Sequence, residues 1–203
     1  MMRAGVRDGA ARVAVAALFA LMAANLLGDF LGTGRLTGLL LLLSETLVVV
    51  PAIGRWPAAP VDPSPAAALA TFMSLTGPPL LRAGHMGPMV PDILTATVSV
   101  SGLMLVIAGK RTLGRSFGIA PGNWGIVIGG PYSFVRHPIY TGYLVTHLAF
   151  LLANPTPLNA MAVGIADAAL IIRALIEERV LVKDVEYQAY CRRVDWHLVP
   201  GLF

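Results

Sequence analysis

Arg136, His137 and Tyr140 lie in one short stretch, residues 129–142, that reads G-G-P-Y-S-F-V-R-H-P-I-Y-T-G. A guanidinium, an imidazole and two phenols are set here among prolines and glycines, at the head of a long apolar segment. Gly-Pro marks a turn, and Pro138 suits an early helix position because its missing N–H costs nothing in a first turn. Arg136 and His137 are therefore expected where a helix begins, beside free backbone N–H groups and the positive end of the helix dipole, a setting that favours anions. A second cluster follows from Arg173, R-A-L-I-E-E-R-V-L-V-K-D-V-E-Y-Q-A-Y-C-R-R-V. On a helix Arg173 and Glu177 share a face, and Asp167 and Glu178, eleven residues apart, almost eclipse each other. An Arg–Glu pair at this spacing is also an ordinary surface pair worth about 0.3 kcal/mol. Asp167 is different, because an acid inside an apolar span is costly and is by default functional or paired within the bundle.

The elements that must position these groups are transmembrane helices. The chain has 203 residues, of which 56% are hydrophobic and 13% charged, with a mean hydropathy of +0.72. A soluble domain carries about 25% charged residues, so the expected fold is an all-α polytopic bundle of five to six spans. The net charge of +4 is small, and the basic residues flank apolar runs, which suits lipid headgroups and argues against nucleic acid. Cys191 is the only cysteine, which excludes an intrachain disulfide and a cysteine-rich metal site.

In chain order, residues 1–12 read as a basic arm and 13–27 as a first span. A second span, 36–53, is closed by Pro51 and Gly54, and the glycines of L-G-T-G-R-L-T-G between the two read as a surface turn rather than a phosphate loop. Residues 55–65 read as a loop. Residues 66–81 form a short span, partly interfacial, with Gly77, Pro78 and Pro79 near its end. Residues 92–108 are apolar and end in Lys110 and Arg111, while 113–128, with Arg115, Asn123 and Trp124, suits the membrane surface. Spans 139–153 and 158–176 are joined by a tight turn, and the last is expected to run on as a polar helix. With six spans the positive-inside rule puts both termini and Arg136 in the cytoplasm, leaving Arg35 and Arg82 opposite. His147 is expected in a helix–helix hydrogen bond more than in a pocket. Tyr143, Trp124 and Trp196 read as interfacial anchors, and His85 and His197 as isolated, solvated groups. Glu45 either pairs with a base or lines a lipid-side entrance.

Together, G-P-Y-S-F-V-R-H-P-I-Y-T-G, the helical hairpin, R-x-x-x-E-E, Y-x-x-Y and a short apolar end resemble the isoprenylcysteine carboxyl methyltransferase family of integral membrane methyltransferases, from about residue 113 to the end. R-H-P-x-Y-x-G with E-E at this separation points to the wider superfamily, which also includes phospholipid methyltransferases and sterol-reductase-like proteins. The resemblance implies N-terminal transmembrane helices on the lipid-substrate side, residues 1–109, and a methyltransferase-like region, residues 110–203. It implies a cytoplasm-facing S-adenosylmethionine pocket capped by the C-terminal tail and open sideways to the bilayer. His137 and Tyr140, with the backbone around Tyr132 to Val135, would hold the cofactor and Arg136 would brace the pocket. Glu178, with Glu177, would face the cofactor's cationic or hydroxyl groups. Arg173 would hold the acceptor near the methyl group, making Arg173 and Glu177 the catalytic pair.

Methyl transfer from a sulfonium is an in-line displacement, so alignment and water exclusion are the main demands on the protein. A carboxylate acceptor needs no base, only an orienting cation such as Arg173. An amine acceptor would need a base such as Glu177 or Glu178, and the residues allow either. A cationic cofactor is served by carboxylates and aromatic faces, here Glu177, Glu178, Tyr187 and Tyr190. The expected partners are a lipophilic small-molecule or prenylated acceptor and membrane lipid, with no nucleic acid and no metal. A reductase using NADPH would want a more basic pocket, and a non-enzymatic binding module is the third alternative.

Overall fold

The computed structural model describes residues 2–53, 62–84, 87–114 and 121–203, with the backbone alone for 2–12 and 48–53. Arg55, His85 and Arg115 lie outside the described residues. Among the described residues seven α-helices follow in order: α1 (Met2–Thr33), α2 (Thr37–Ile53), α3 (Pro65–Thr76), α4 (Asp92–Leu113), α5 (Pro138–Ala153), α6 (Pro157–Leu181) and α7 (Val185–Cys191). Short 3₁₀ turns occupy Pro78–Leu80 and Gly130–Ser133. The architecture is the expected all-α bundle. Val13–Thr33, Asp92–Leu113 and Pro157–Leu181 are long and apolar enough to cross a membrane, and Thr37–Leu47 and Pro138–Ala153 are shorter apolar helices.

Two boundaries differ from the sequence reading. The basic arm is helical, because nothing in it stops α1 from propagating backward, and at 1.5 Å per residue the 32-residue helix is about 48 Å long. That exceeds a hydrocarbon core of about 30 Å. Conversely α3 has 12 residues, about 18 Å, too short to span alone. It ends at Gly77, where an added Cβ would sit 2.5 Å from the Ala166 Cβ, so α3 lies close against α6.

Local signals fix the other ends. The Ser64 Oγ accepts the Ala67 N–H and the Thr156 Oγ1 accepts the Asn159 N–H, each just ahead of a proline at the first helical position. Between α3 and α4 the chain leaves helical geometry, and side-chain amides take over its donors. Asn159, Asn25 and Asn154 accept the N–H groups of Arg82, Ala83 and Gly84. Non-helical backbone is thus satisfied where the bundle buries it.

The site-bearing helix α5 packs most extensively on α4. Glycines set that distance: a Cβ at Gly142 would lie 2.6 Å from the Val106 Cγ2 and 2.7 Å from the Gly102 carbonyl oxygen. The last glycine of R-H-P-I-Y-T-G therefore serves helix packing. α6 continues past the apolar span to Leu181 without a break, as expected, and carries Arg173, Glu177 and Glu178 back to the start of α5.

Candidate active site

α5 starts at Pro138 with His137 at its N-cap. The backbone donors expected to be free are occupied: the Arg136 and His137 N–H groups bond to the carbonyl oxygens of Trp196 and His197, each at 2.9 Å. The C-terminal tail therefore runs alongside this turn and is held there. The Thr141 hydroxyl donates to the Leu198 carbonyl at 2.7 Å, and the Arg136 Nε to that of Val194 at 2.8 Å.

The anion that this helix start favours is supplied by the chain itself. One Glu178 carboxylate oxygen lies 3.0 Å from the His137 Nε2 and 2.6 Å from the His197 Nδ1, and the other accepts from the Arg136 guanidinium at 3.1 Å. Glu178 thus joins α6, the start of α5 and the tail. His197 is neither isolated nor solvated. It is partly buried against Glu178 and stacks on Phe203 with ring centroids 4.8 Å apart. Its partner is nineteen residues away on another element, which no local spacing in the sequence reveals.

Glu177, the neighbouring residue, points elsewhere. It accepts the Tyr140 hydroxyl at 2.9 Å and lines a cleft with Trp124, Tyr132, His137, Tyr140 and Tyr187. The Tyr140 ring lies parallel to the His137 ring, and on Tyr140 the Arg173 guanidinium sits 5.3 Å from the centroid. Arg173 also reaches the Ser74 hydroxyl of α3 at 3.4 Å. The cleft has a cavity volume of about 70 Å³. It is a narrow slot.

Tyr190 closes the floor by donating to the Tyr132 carbonyl at 2.7 Å. Burial, above all else, raises the phenol pKa values of Tyr132, Tyr187 and Tyr190, so all three stay protonated donors. Of the residues singled out in the sequence, Tyr132, Arg136, His137, Tyr140 and Glu177 meet on the cleft wall. Val135 is buried behind it, Glu178 is held in the ion cluster, and Arg173 is buried behind Tyr140.

Other expectations resolve as follows. Trp124, read as an anchor, is half-buried on the cleft wall. Tyr143, read the same way, is buried within the bundle, because α4 and α6 cover the face of α5 that carries Tyr140 and His147. His147 makes the helix–helix bonds anticipated for it, to Asp167 and to Glu45.

No curated protein and no solved structure matches the chain. Residues 91–186, the segment that carries α4, α5 and α6, match the phospholipid methyltransferase family.

Proposed function

We propose that the protein transfers the methyl group of S-adenosylmethionine to a hydrophobic, membrane-borne acceptor, with an isoprenylcysteine-like or other isoprenoid carboxylate favoured. The observation that carries this reading is the cleft wall, where one half-buried carboxylate, Glu177, stands among aromatic faces with the Arg173 guanidinium behind Tyr140. The residues fit such a cofactor. Glu177 offers negative charge to a cation, and Trp124, Tyr132 and Tyr187 offer faces to a purine or a sulfonium. The Tyr187 hydroxyl is buried beside the Cys191 thiol, a weak partner that a ligand oxygen would replace.

When bound, the cofactor supplies an electrophilic methyl group on a positively charged sulfur. Arg173 orients the acceptor carboxylate through its planar donor fork, and no base is required because the attacking oxygen is already ionised. That methyl group would pass to the acceptor oxygen, giving a neutral ester and a neutral thioether. Tyr140 holds Glu177 in place through its hydroxyl and carries the Arg173 guanidinium over its ring. Because the slot is narrow, its walls would have to part for a nucleoside-sized ligand, and α7, held by side-chain contacts such as the Tyr190 hydroxyl on the Tyr132 carbonyl, is the wall that would yield. Lys110, Arg111, Arg136, Arg179, Lys183, Arg192 and Arg193 gather at this end of the bundle, and by the positive-inside rule they support a cytoplasmic orientation for it.

Calorimetric titration of the detergent-purified protein with S-adenosylmethionine, and separately with NADPH, tests the reading, with Glu177→Gln and His137→Ala as controls. Saturable S-adenosylmethionine binding, weakened in both variants, is expected. Binding of NADPH alone would replace the methyltransferase reading with a reductase.

A further inference from the structure

We propose that Glu45, His147 and Asp167 form a proton-binding site inside the bundle, separate from the cleft and independent of the methyltransferase reading. His147 of α5 stands between two carboxylates from different helices: its Nδ1 is 2.5 Å from the Asp167 Oδ1 of α6, and its Nε2 is 3.0 Å from the Glu45 Oε1 of α2. The side chains of His147 and Glu45 are 4% and 6% exposed, and that of Asp167 is 22% exposed. His147 follows Pro138 by nine residues, about 14 Å along α5, which places the cluster near mid-helix.

Proton counting assigns the site its ligand. A hydrogen bond at each ring nitrogen requires one proton between the partners, whether it rests on the imidazole or on the carboxyl. Two carboxylates and one imidazole sharing two such protons carry a net charge of minus one, wherever those protons reside. An unbalanced charge at this depth in a bilayer is expensive. A third proton, on a carboxyl oxygen turned away from the ring, makes the cluster neutral and keeps both hydrogen bonds. Asp167 is the most exposed of the three and is the point of exchange.

The surroundings isolate this equilibrium. From α5 the ring of Tyr143 stacks on His147, with centroids 6.1 Å apart. From α6 the nearest charged neighbour in sequence beyond Asp167 is Arg173. α4, packed on both α2 and α5, has no titratable side chain between Asp92 and Lys110, and α3, packed on α6, has none at all. α1, packed on α2, has none from Val13 to Gly28. Among the described residues, Arg173 is the nearest positive charge on these helices, and it already serves Ser74 and the Tyr140 face.

Infrared difference spectroscopy of the full-length protein in lipid nanodiscs, titrated from mildly acidic to alkaline pH, tests the site. The wild-type protein is expected to show a protonated-carboxyl C=O band at neutral pH, shifted in heavy water, that fades as one proton leaves. Asp167→Asn and Glu45→Gln should each abolish that band, because either change leaves one carboxylate beside the imidazole and a neutral pair that takes no third proton. Absence of any such band in the wild-type protein would overturn the proposal, and that measurement needs no variant to fold. A band left unchanged in both variants would also overturn it. Neither outcome depends on whether S-adenosylmethionine binds.

Discussion

The His197 Nδ1 lies 2.6 Å from the Glu178 Oε1, and this one contact ties the C-terminal tail to the helix that carries the other acidic groups of the site. The backbone bonds from Arg136 and His137 to Trp196 and His197 run beside it, so the tail is fastened by both main chain and side chain. His197→Ala removes the side-chain half and leaves the backbone half. A hydrogen bond to a charged group contributes about 2 kcal/mol, or roughly thirtyfold in local opening. Hydrogen exchange should therefore quicken across residues 194–203 by about that factor, while the amides of α5 and the apolar part of α6 stay as protected as before.

Glu177 and Glu178 are neighbours with different duties, and substitution separates them. Glu178 is 13% exposed and faces Arg136, His137 and His197, so Glu178→Ala leaves the Arg136 guanidinium without its counter-charge and both imidazoles without their shared partner. A loss of about 3 to 5 kcal/mol in stability is expected, read as a lower unfolding temperature. Glu177→Gln keeps the shape and the Tyr140 contact and should unfold at nearly the wild-type temperature. Its S-adenosylmethionine affinity should fall about tenfold to a hundredfold in calorimetry. Equal stability losses in the two variants would contradict this division.

Gly142 separates packing from chemistry in the R-H-P-I-Y-T-G motif. A Cβ there meets the Val106 side chain and the Gly102 carbonyl, both well inside contact distance, with the Val106 backbone nitrogen at 3.0 Å. Gly142→Ala should cost about 1 to 3 kcal/mol by forcing α4 and α5 apart, measured by thermal unfolding in detergent. Gly129→Ala, where an added Cβ meets nothing within 4 Å, is the matched control and should be close to neutral.

Much of this was legible in the sequence, because membrane helices announce themselves through hydropathy and punctuation. Pro138 and Pro157 start helices where a proline can, and the spacing of Arg173, Glu177 and Glu178 placed them on one continuous α6. The division of labour between the two glutamates was not legible, since adjacent residues on a helix differ by only 100° and tertiary partners decide which one faces the cleft. His197 was misread for the same reason. Tyr143 was misread because an apolar helix covered on several sides has no polar face to show which aromatic rings are buried. Glu45, His147 and Asp167 each stood out alone as costly groups, but pairing among three helices is a property of the bundle.

Cys191 gives a last prediction, because the only cysteine of the chain sits in α7 beside the cleft. It packs on Tyr187, Tyr190 and Val194, and its backbone carbonyl lies 3.4 Å from the Arg136 guanidinium. Burial pushes its thiol pKa above the ordinary value, a shift that the positive charge of Arg136 opposes without cancelling. A raised pKa means that the fold favours the protonated thiol. The associated stability is fully present below the unfolded thiol's pKa and is lost as pH rises through the folded one. Alkylation of the folded protein at neutral pH should accordingly be slower than that of the unfolded chain, and should accelerate with pH over a higher range than an exposed thiol shows. If α7 is the wall that yields to a ligand, S-adenosylmethionine at saturation should change the alkylation rate at fixed pH. An unchanged rate alongside saturable binding would mean that the cleft opens on another side.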